Sequence, residues 1–390
     1  MRIAFVFDGV YPYCMGGIPK RTYDITRKLV ELGHEAHIYS MKFWDGPDVI
    51  VNEHGVYIHG VCKARNRYAT PTRRSVGVAM IFTYGVARAL MAGGERFDVI
   101  DSGPAPLIHH YPVRVATRMK GEAMVMTWDE VWGGYWYEYL GPLLGFWGSA
   151  VEKTVIKLPE LMIAISPKIK EDLIAIGADP DKVRVVENGV DFHRIQEVKP
   201  VPGEFDVVFV GRLVPHKHVD ILLKAIRLIK KEIPDIKCVV IGEGPERTRL
   251  EKMAEDLGLG ENVSFLGRLE EHDDVVGYMK ASKIFVLPST REGFPNTVLE
   301  ANASGLPVIT VLHPKNATTA VIEDWKNGLK CRLSEEEIAE KMRLLLSDEA
   351  LLAKMRSEAL RFAREHDWGL MVRKLVDVYE EALSLVRSEP

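Results

Sequence analysis

Short apolar runs of strand character alternate with helix-patterned segments along this chain, and the alternation begins twice. In the first half, Ile3–Phe7, Glu35–Ser40, Asp98–Asp101, Ala123–Met126 and Leu161–Ile165 read as short buried strands. Between the first two, Pro19–Leu32 sets Ile25, Leu29 and Leu32 at helical spacing, with Pro19 suited to the first turn and Gly33 to the stop. Strand–helix–strand alternation implies a parallel sheet covered by its crossover helices. The second half restarts with strands at Val207–Val210, Lys237–Ile241, Val263–Phe265, Ile284–Leu287 and Val308–Thr310. Leu222–Ile233, Arg247–Leu257 and Thr297–Ser304 are its helices, and His193–Phe205, with Pro200, Pro202 and Gly203, reads as a linker. A length of 390 residues exceeds one ordinary core and suits two. The expectation is an α/β chain of two doubly wound, Rossmann-like domains facing across a cleft, with ligands beyond the carboxyl ends of the strands.

Composition removes several function classes. A formal net charge of −4 gives no general attraction to nucleic acid. Cys14, Cys62, Cys238 and Cys331 lie too far apart for a zinc cluster or a dense disulfide scaffold, so free thiols in a reducing cytosol are expected. The N-terminal MRIAFVFDGVYPY reads as a first strand rather than a signal peptide, because its apolar run is short and broken by Asp8. Val76–Ala92 is broken by Arg88 and falls short of a membrane span.

The sharpest chemical signal is Arg291–Ile309, REGFPNTVLEANASGLPVI, which follows the strand Ile284–Leu287 and opens a helix. Pro295 suits a helix start, and the amides near Phe294, Asn296 and Thr297 form an anion site at the positive end of the helix dipole. Glu292 lies just before that site and Glu300 one turn inside the helix. Carboxylates beside an anion site repel the anion, so they must be aimed at hydroxyls, a sugar on one side and a ribose on the other. A second element, VVFVGRLVPHK, ends a strand in Gly211 and places Arg212 and Lys217 in the following turn. Two such cations suit a diphosphate, Arg as a fork and Lys as a mobile point charge.

These motifs, with GG at 16–17, NGVD at 188–191, GEGPER at 242–247 and NGL at 327–329, resemble glycosyltransferase family 4, in the expected order from Gly16 to about Leu329. The resemblance implies the two-domain GT-B fold and a retaining, metal-independent hexosyl transfer from a nucleotide diphosphate sugar. By it Arg212 and Lys217 bind the diphosphate, Glu300 the ribose, and Glu292, Gly293 and the neighbouring amides the transferred sugar. Gly16 and Gly17 let the backbone approach the phosphates. The implied domains are 1–195 for the acceptor and 204–367 for the donor, with a terminal helix at about 368–390 returning to the first. The acceptor is lipid-linked, a polysaccharide or a small molecule, on Lys20, Trp128, Trp132 and Trp136. No cofactor, metal or nucleic acid is implied; a cytoplasmic location with peripheral membrane contact is.

Two positions depart from the family. Pro295 stands where many members have glycine and offers no amide. Met126–Trp132, MTWDEVW, aligns with a family segment reading THEVW or WHEVW, so Asp129 occupies the place of a histidine that contacts the donor sugar. Ionised aspartate binds a hydroxyl but donates no proton, which leaves donor identity and rate open. The alternative is that Asp129 caps a helix.

Other features weigh less. The aromatic run Trp132, Tyr135, Trp136, Tyr137, Tyr139, Phe146 and Trp147 reads as an acceptor wall or membrane-interface anchor, with core packing favoured for Phe146 and Trp147. Lys63, Arg65, Arg67, Arg73 and Arg74 form a basic run without acids, a solvated loop or a site for phospholipid or pyrophosphate. Asp179-Pro-Asp181 reads as a turn rather than a metal motif. The alternatives in function are an epimerase or phosphorylase on the same fold, and a catalytically weak nucleotide-sugar-binding protein.

Overall fold

The computed structural model describes residues 1–14, 16–70, 73–294 and 296–388, which form two compact units, Met1–Asn188 with Trp368–Pro390, and Gly189–Asp367. In the first, β1 (Arg2–Val6), α1 (Gly17–Glu31), β2 (Glu35–Lys42), β3 (Val49–Val51), β4 (Tyr57–Lys63), β5 (Tyr68–Thr70) and β6 (Arg73–Arg74) lead to α2 (Val76–Ala92). β7 (Val99–Ser102), α3 (His110–Lys120), β8 (Ala123–Trp128), α4 (Tyr135–Val155), β9 (Leu161–Ala164), α5 (Pro167–Ala175) and β10 (Val183–Val185) complete it. The eight-stranded sheet runs β10-β9-β8-β7-β1-β2-β4-β3, with only β3 antiparallel. Its central strands are buried on both faces, as a parallel sheet covered by helices requires.

The second unit is built from α6 (Phe192–Glu197), β11 (Phe205–Val210), α7 (Val219–Lys230), β12 (Cys238–Ile241), α8 (Arg247–Asp256), β13 (Val263–Gly267) and α9 (His272–Lys280). It continues with β14 (Ser282–Leu287), α10 (Asn296–Ala303), β15 (Val308–Val311), α11 (Thr318–Val321), β16 (Gly328–Cys331), α12 (Glu335–Ser347) and α13 (Glu349–Glu365). Six parallel strands run β13-β12-β11-β14-β15-β16, the doubly wound order. The last helix, α14 (Trp368–Ser388), packs on α1, β7 and β8 and belongs to the first unit.

The expected linker is instead part of the second body. Phe192–Glu197 is helical, and Gln196 Nε2 donates to Ala303 O at 2.7 Å. Val201 N reaches Gly277 O at 3.1 Å, so the prolines sit in an ordered connection and the division falls at 188/189. Asp179 Oδ1 accepts from Asp181 N at 3.0 Å, the turn expected there. Strands β3, β4, β5, β6, β10 and β16 escaped the sequence reading; β3 and β10 lie at the sheet's edges, where apolar continuity is not demanded.

A buried asparagine pair ties the second unit together. Asn327 Nδ2 donates to Asn302 Oδ1 at 3.0 Å and to Val321 O at 3.2 Å, while its Oδ1 accepts from Glu323 N at 2.7 Å. This joins α10 to the turn before β16 and explains the NGL motif as structural. Replacing Asn327 with Ala strands these buried partners and should cost about 2–3 kcal/mol. For a unit of this size the loss reads as a fall of roughly 4–12 °C in Tm; an unchanged Tm would show that the network contributes nothing.

Candidate active site

In the second unit the strand order reverses between β11 and β14, and both motif loops leave the carboxyl ends of those strands. The loops are joined. Thr290 N donates to His216 O at 2.9 Å, Ser289 Oγ to His216 O at 3.2 Å, and the Lys217 ammonium forms a short ion pair with Oε1 of Glu292. Lys217 and Glu292 are largely withdrawn from solvent. Arg212 is exposed in the same loop, where its carbonyl accepts from Val214 N at 3.0 Å. Burial, then the Lys217 cation, lowers the His216 pKa, keeping that ring neutral beside the ammonium.

Glycine pairs the two motifs closely. A Cβ at Gly242, where φ is +142°, would lie 1.9 Å from Gly211 O, so only glycine lets these backbones touch. Gly211 N donates to Ile241 O at 3.0 Å and Leu213 N to Glu243 O at 2.9 Å, locking GEGPER against GRL. Gly242 N also donates to Gly267 O at 2.8 Å, which joins this loop to the end of β13.

Helix α10 begins at Asn296, and its first amides lack partners within the helix. Pro295 lies outside the described residues. Gly293 and Phe294 are half-buried, and Phe294 packs on the core. Asn296 and Thr297 are half-buried in the first turn. Glu300 is the fifth residue of α10, with Oε1 3.5 Å from His272 Nε2, a partner that sequence reading missed. Glu292 N donates to Lys315 O at 3.0 Å, and the Glu292 carbonyl accepts from Ala317 N at 2.9 Å. That strap, anchored by buried Asn316 on Val311 O at 2.8 Å, carried no recognisable sequence signal.

The first unit has a second opening, of about 290 Å³, where its strand order reverses between β1 and β7. Phe7, Arg21, Thr22, Asp101, Gly103 and Asp129 are among its walls. Asp101 accepts from Thr127 Oγ1 at 2.9 Å and from Tyr379 Oη of α14 at 2.6 Å; burial nonetheless raises its pKa. Arg21 Nε donates to Asn188 Oδ1 at 2.7 Å. Gly16, exposed, is the N-cap of α1 and Gly17 its first residue, with no side-chain cap. Lys20 is 2.5 Å from Asp24 Oδ1 and lies over the rings of Tyr11 and Tyr23.

Asp129 does not cap a helix, since α4 starts six residues later behind Gly134. It directly follows β8, with Oδ2 buried and unpartnered among the described residues. Burial pushes its carboxyl up to about 6; Arg21 opposes this, Asp101 and Glu130 reinforce it. Trp128, expected at an acceptor wall, is only 1% exposed because its strand position points into the core. Trp132 and Trp136 do form a partly open cluster, 4.6 Å between rings, with the backbone of Trp132 and Gly133 held by Glu152 at 2.8 Å.

The expectation for Phe146 and Trp147 is overturned. They are 55% and 61% exposed, and Leu143 is 75% exposed. Gly141, at φ +79°, breaks α4 before Pro142 and turns this segment outward. The basic run also changes meaning. Arg67 and Arg74 bind the buried carboxylate of Asp8 at 3.2 and 3.0 Å, an acid from the end of β1 that the local sequence does not show.

Two parallel-sheet units, one carrying cations and a helix tip at its switch point, define the GT-B class of sugar-transferring enzymes. Two family models match, Glycosyltransferase Family 4 over residues 15–194 and Glycosyl transferases group 1 over residues 191–362, and the chain belongs to this glycosyltransferase family. It is similar to D-inositol 3-phosphate glycosyltransferase of Nocardia farcinica, 29% identical over 251 residues, 60% of this chain and 55% of that protein. The match thus spans about half the length of that relative. With the phosphatidylinositol N-acetylglucosaminyltransferase GPI3 subunit of Saccharomyces cerevisiae it is 22% identical over 395 residues, 97% of this chain and 82% of the other. Sucrose-phosphate synthase from Thermosynechococcus elongatus shares the fold at TM-score 0.79 and 18% identity, covering 98% of this chain and 99% of that one. Anabaena HepE in complex with UDP does so at 0.76 and 18%, covering 98% and 100%.

Asp129 yields a prediction with a definite sign. Its carboxyl titrates near 3.9 in an unfolded chain and at about 6 when folded. The native state therefore holds more proton between those values, and stability falls as pH rises through that window. Asp129→Asn should stabilise the protein by about 1–2 kcal/mol at pH 8, and the gain should vanish by about pH 4. Tm measured at both pH values checks this. A variant less stable than wild type at pH 8 would refute the account of burial.

Proposed function

We propose that this chain transfers a hexose from a nucleotide diphosphate sugar, with retention of configuration and without a catalytic metal. The observation that carries the reading is the junction at the β11/β14 switch point, where Lys217 meets Glu292 beside Arg212 and the start of α10. In this reading Arg212, Lys217 and the first amides of α10 hold the diphosphate and stabilise the charge it gains on leaving. They supply the positive charge a metal ion otherwise would. Glu292 and Gly293 face the sugar, and Glu300 the ribose. The donor displaces Glu292 from Lys217, freeing the carboxylate for sugar hydroxyls.

The chemical step breaks the bond between the anomeric carbon and the phosphate oxygen while the acceptor oxygen bonds to that carbon from the same face. The acceptor proton passes to the departing phosphate oxygen. Among the described residues no side chain offers itself as a covalent nucleophile, which supports this route. Asp129 and Arg21 bind acceptor hydroxyls in the first unit's opening, and a carboxyl titrating at about 6 serves as donor or acceptor there.

A UDP-sugar donor is supported by HepE, whose structures hold UDP and UDP-glucose. A lipid-linked acceptor is supported by the phosphatidylinositol relative and by the surface of the first unit. Helices α2 and α4 both pack on the 107–109 turn and expose Val76, Met80, Tyr84, Leu143, Leu144 and Trp147, with Arg88 and Lys153 exposed on the same helices. Apolar side chains with basic residues among them suit the interface of an anionic bilayer. Among the described residues no helix is long and apolar enough to cross a membrane, so this contact is peripheral. The free cysteines fit a reducing, cytosolic side.

Thermal shift with UDP-, GDP- and ADP-sugars tests the donor site. One class should stabilise the wild type, by about 2.7 kcal/mol at 100 times its Kd. Lys217→Ala should abolish that shift. Turnover in Lys217→Ala and Glu292→Ala should fall by about 10²-fold or more, and near-normal rates in both would sink the site. Co-sedimentation with vesicles containing anionic lipid tests the surface. Wild type should pellet and the double variant Leu143→Asp/Trp147→Asp should not; equal pelleting of the two would overturn the membrane contact.

A further inference from the structure

Near the amino ends of the first unit's strands, away from both openings, three side chains with metal-binding atoms converge. Strands β2 and β4 pair in parallel with His37 opposite Tyr57 and Tyr39 opposite His59. Strand alternation puts all four on one face. His37 Nδ1 lies 2.9 Å from His59 Nε2, and these nitrogens lie 3.7 and 3.9 Å from Oε2 of Glu95, in the loop before β7. The three ligand atoms fall within 4.8 Å of one another.

The surroundings hold both imidazole rings and the loop of Glu95 in place. His37 Nε2 is 2.8 Å from Glu35 Oε1, which can only accept, so Nε2 carries the proton and the Nδ1 lone pair faces His59 and Glu95. A carboxylate behind an imidazole is the arrangement that orients histidines on metals. Arg2 Nε holds Glu35 in turn at 2.9 Å. Tyr39 stacks on His59 at 4.3 Å and Tyr57 on His37 at 4.7 Å, which sets both ring planes. Lys120 Nζ binds Glu95 O at 2.7 Å and Gly93 O at 3.2 Å, pinning the loop that presents the carboxylate. Both histidines are buried and Glu95 is partly exposed, which gives an ion its way in.

We propose that His37 Nδ1, His59 Nε2 and Glu95 Oε2 form a structural zinc site that ties β2, β4 and the loop before β7 together. Two imidazole nitrogens and one carboxylate oxygen suit Zn²⁺, with water as the fourth ligand. Tetrahedral bonds of about 2.0–2.2 Å set ligand atoms roughly 3.3 Å apart, so side-chain shifts of a few tenths of an ångström complete the site. A site in this part of the sheet stabilises the fold and takes no part in glycosyl transfer.

The untagged full-length protein, stripped with chelator and dialysed, is titrated with zinc chloride by calorimetry. Wild type should bind one equivalent, and His59→Gln and Glu95→Gln should each weaken binding at least tenfold. Glu95→Gln changes a partly exposed loop side chain, so folding does not cloud its result. Glu35→Gln touches no metal and should weaken binding by about tenfold through the orientation of His37. Cobalt should give the intense visible bands of a four-coordinate ion in wild type only. Stripped wild type that binds zinc no more tightly than His59→Gln would overturn the proposal. Nucleotide-sugar thermal shifts on the stripped protein are independent of this outcome, so the transferase reading stands or falls separately.

Discussion

Strand β11 lies inside its sheet, with β12 on one side and β14 on the other, and that reversal of order opens space above two neighbouring carboxyl ends. The turn after β11 and the turn after β14 occupy it, and Lys217 reaches Glu292 across a sequence separation of 75 residues. Much else in the second unit supports that meeting. The contact of Gly242 with Gly211 fixes one loop from behind. The strap at 315–317 fixes the other by holding the main chain of Glu292 on both sides. The ion pair keeps two charges together out of bulk water, a costly arrangement unless each has a partner.

The first unit uses the same geometry with different chemistry. Near its switch point lie buried carboxylates, and two of them are met by groups from distant parts of the chain. Asp8 is neutralised by Arg67 and Arg74, while Asp101 is bonded by Thr127 and by Tyr379 of the terminal helix. Asp129 alone keeps a buried oxygen without a partner among the described residues. Groups left unsatisfied in this way cost stability, and sites that bind ligands are where such costs are usually kept. Helix α14 thus does more than cover the sheet, because its tyrosine reaches the floor of the opening.

Much of the architecture was legible in the residues. Buried parallel strands must be continuous apolar runs, so the ten strands read from the sequence lie where β1, β2, β7, β8, β9, β11, β12, β13, β14 and β15 are found. The loops after β11 and β14 were legible because a glycine-ended strand and a helix start have local signatures. Other features had none. Edge strands β3 and β10 need no apolar run, the exposed prolines at 200 and 202 mimic a linker while Val201 between them is bonded to α9, and the aromatic run gives no sign of which rings face out. Trp128 is buried by its place on β8, while Trp147 faces out after Gly141 breaks α4.

What the sequence alone determined is the class of fold, the family and the position of the two motif loops at strand ends. These rest on periodicity and on local turn and helix-start rules, which act over a few residues. Tertiary structure decided which charges are paired, which aromatic residues are buried and where the second opening lies. The partners of Asp8, Asp101, His37 and Glu292 come from 59, 278, 22 and 75 residues away. Coulombic and hydrogen-bond energies depend on distance in space, and only the closed sheets bring those groups within reach.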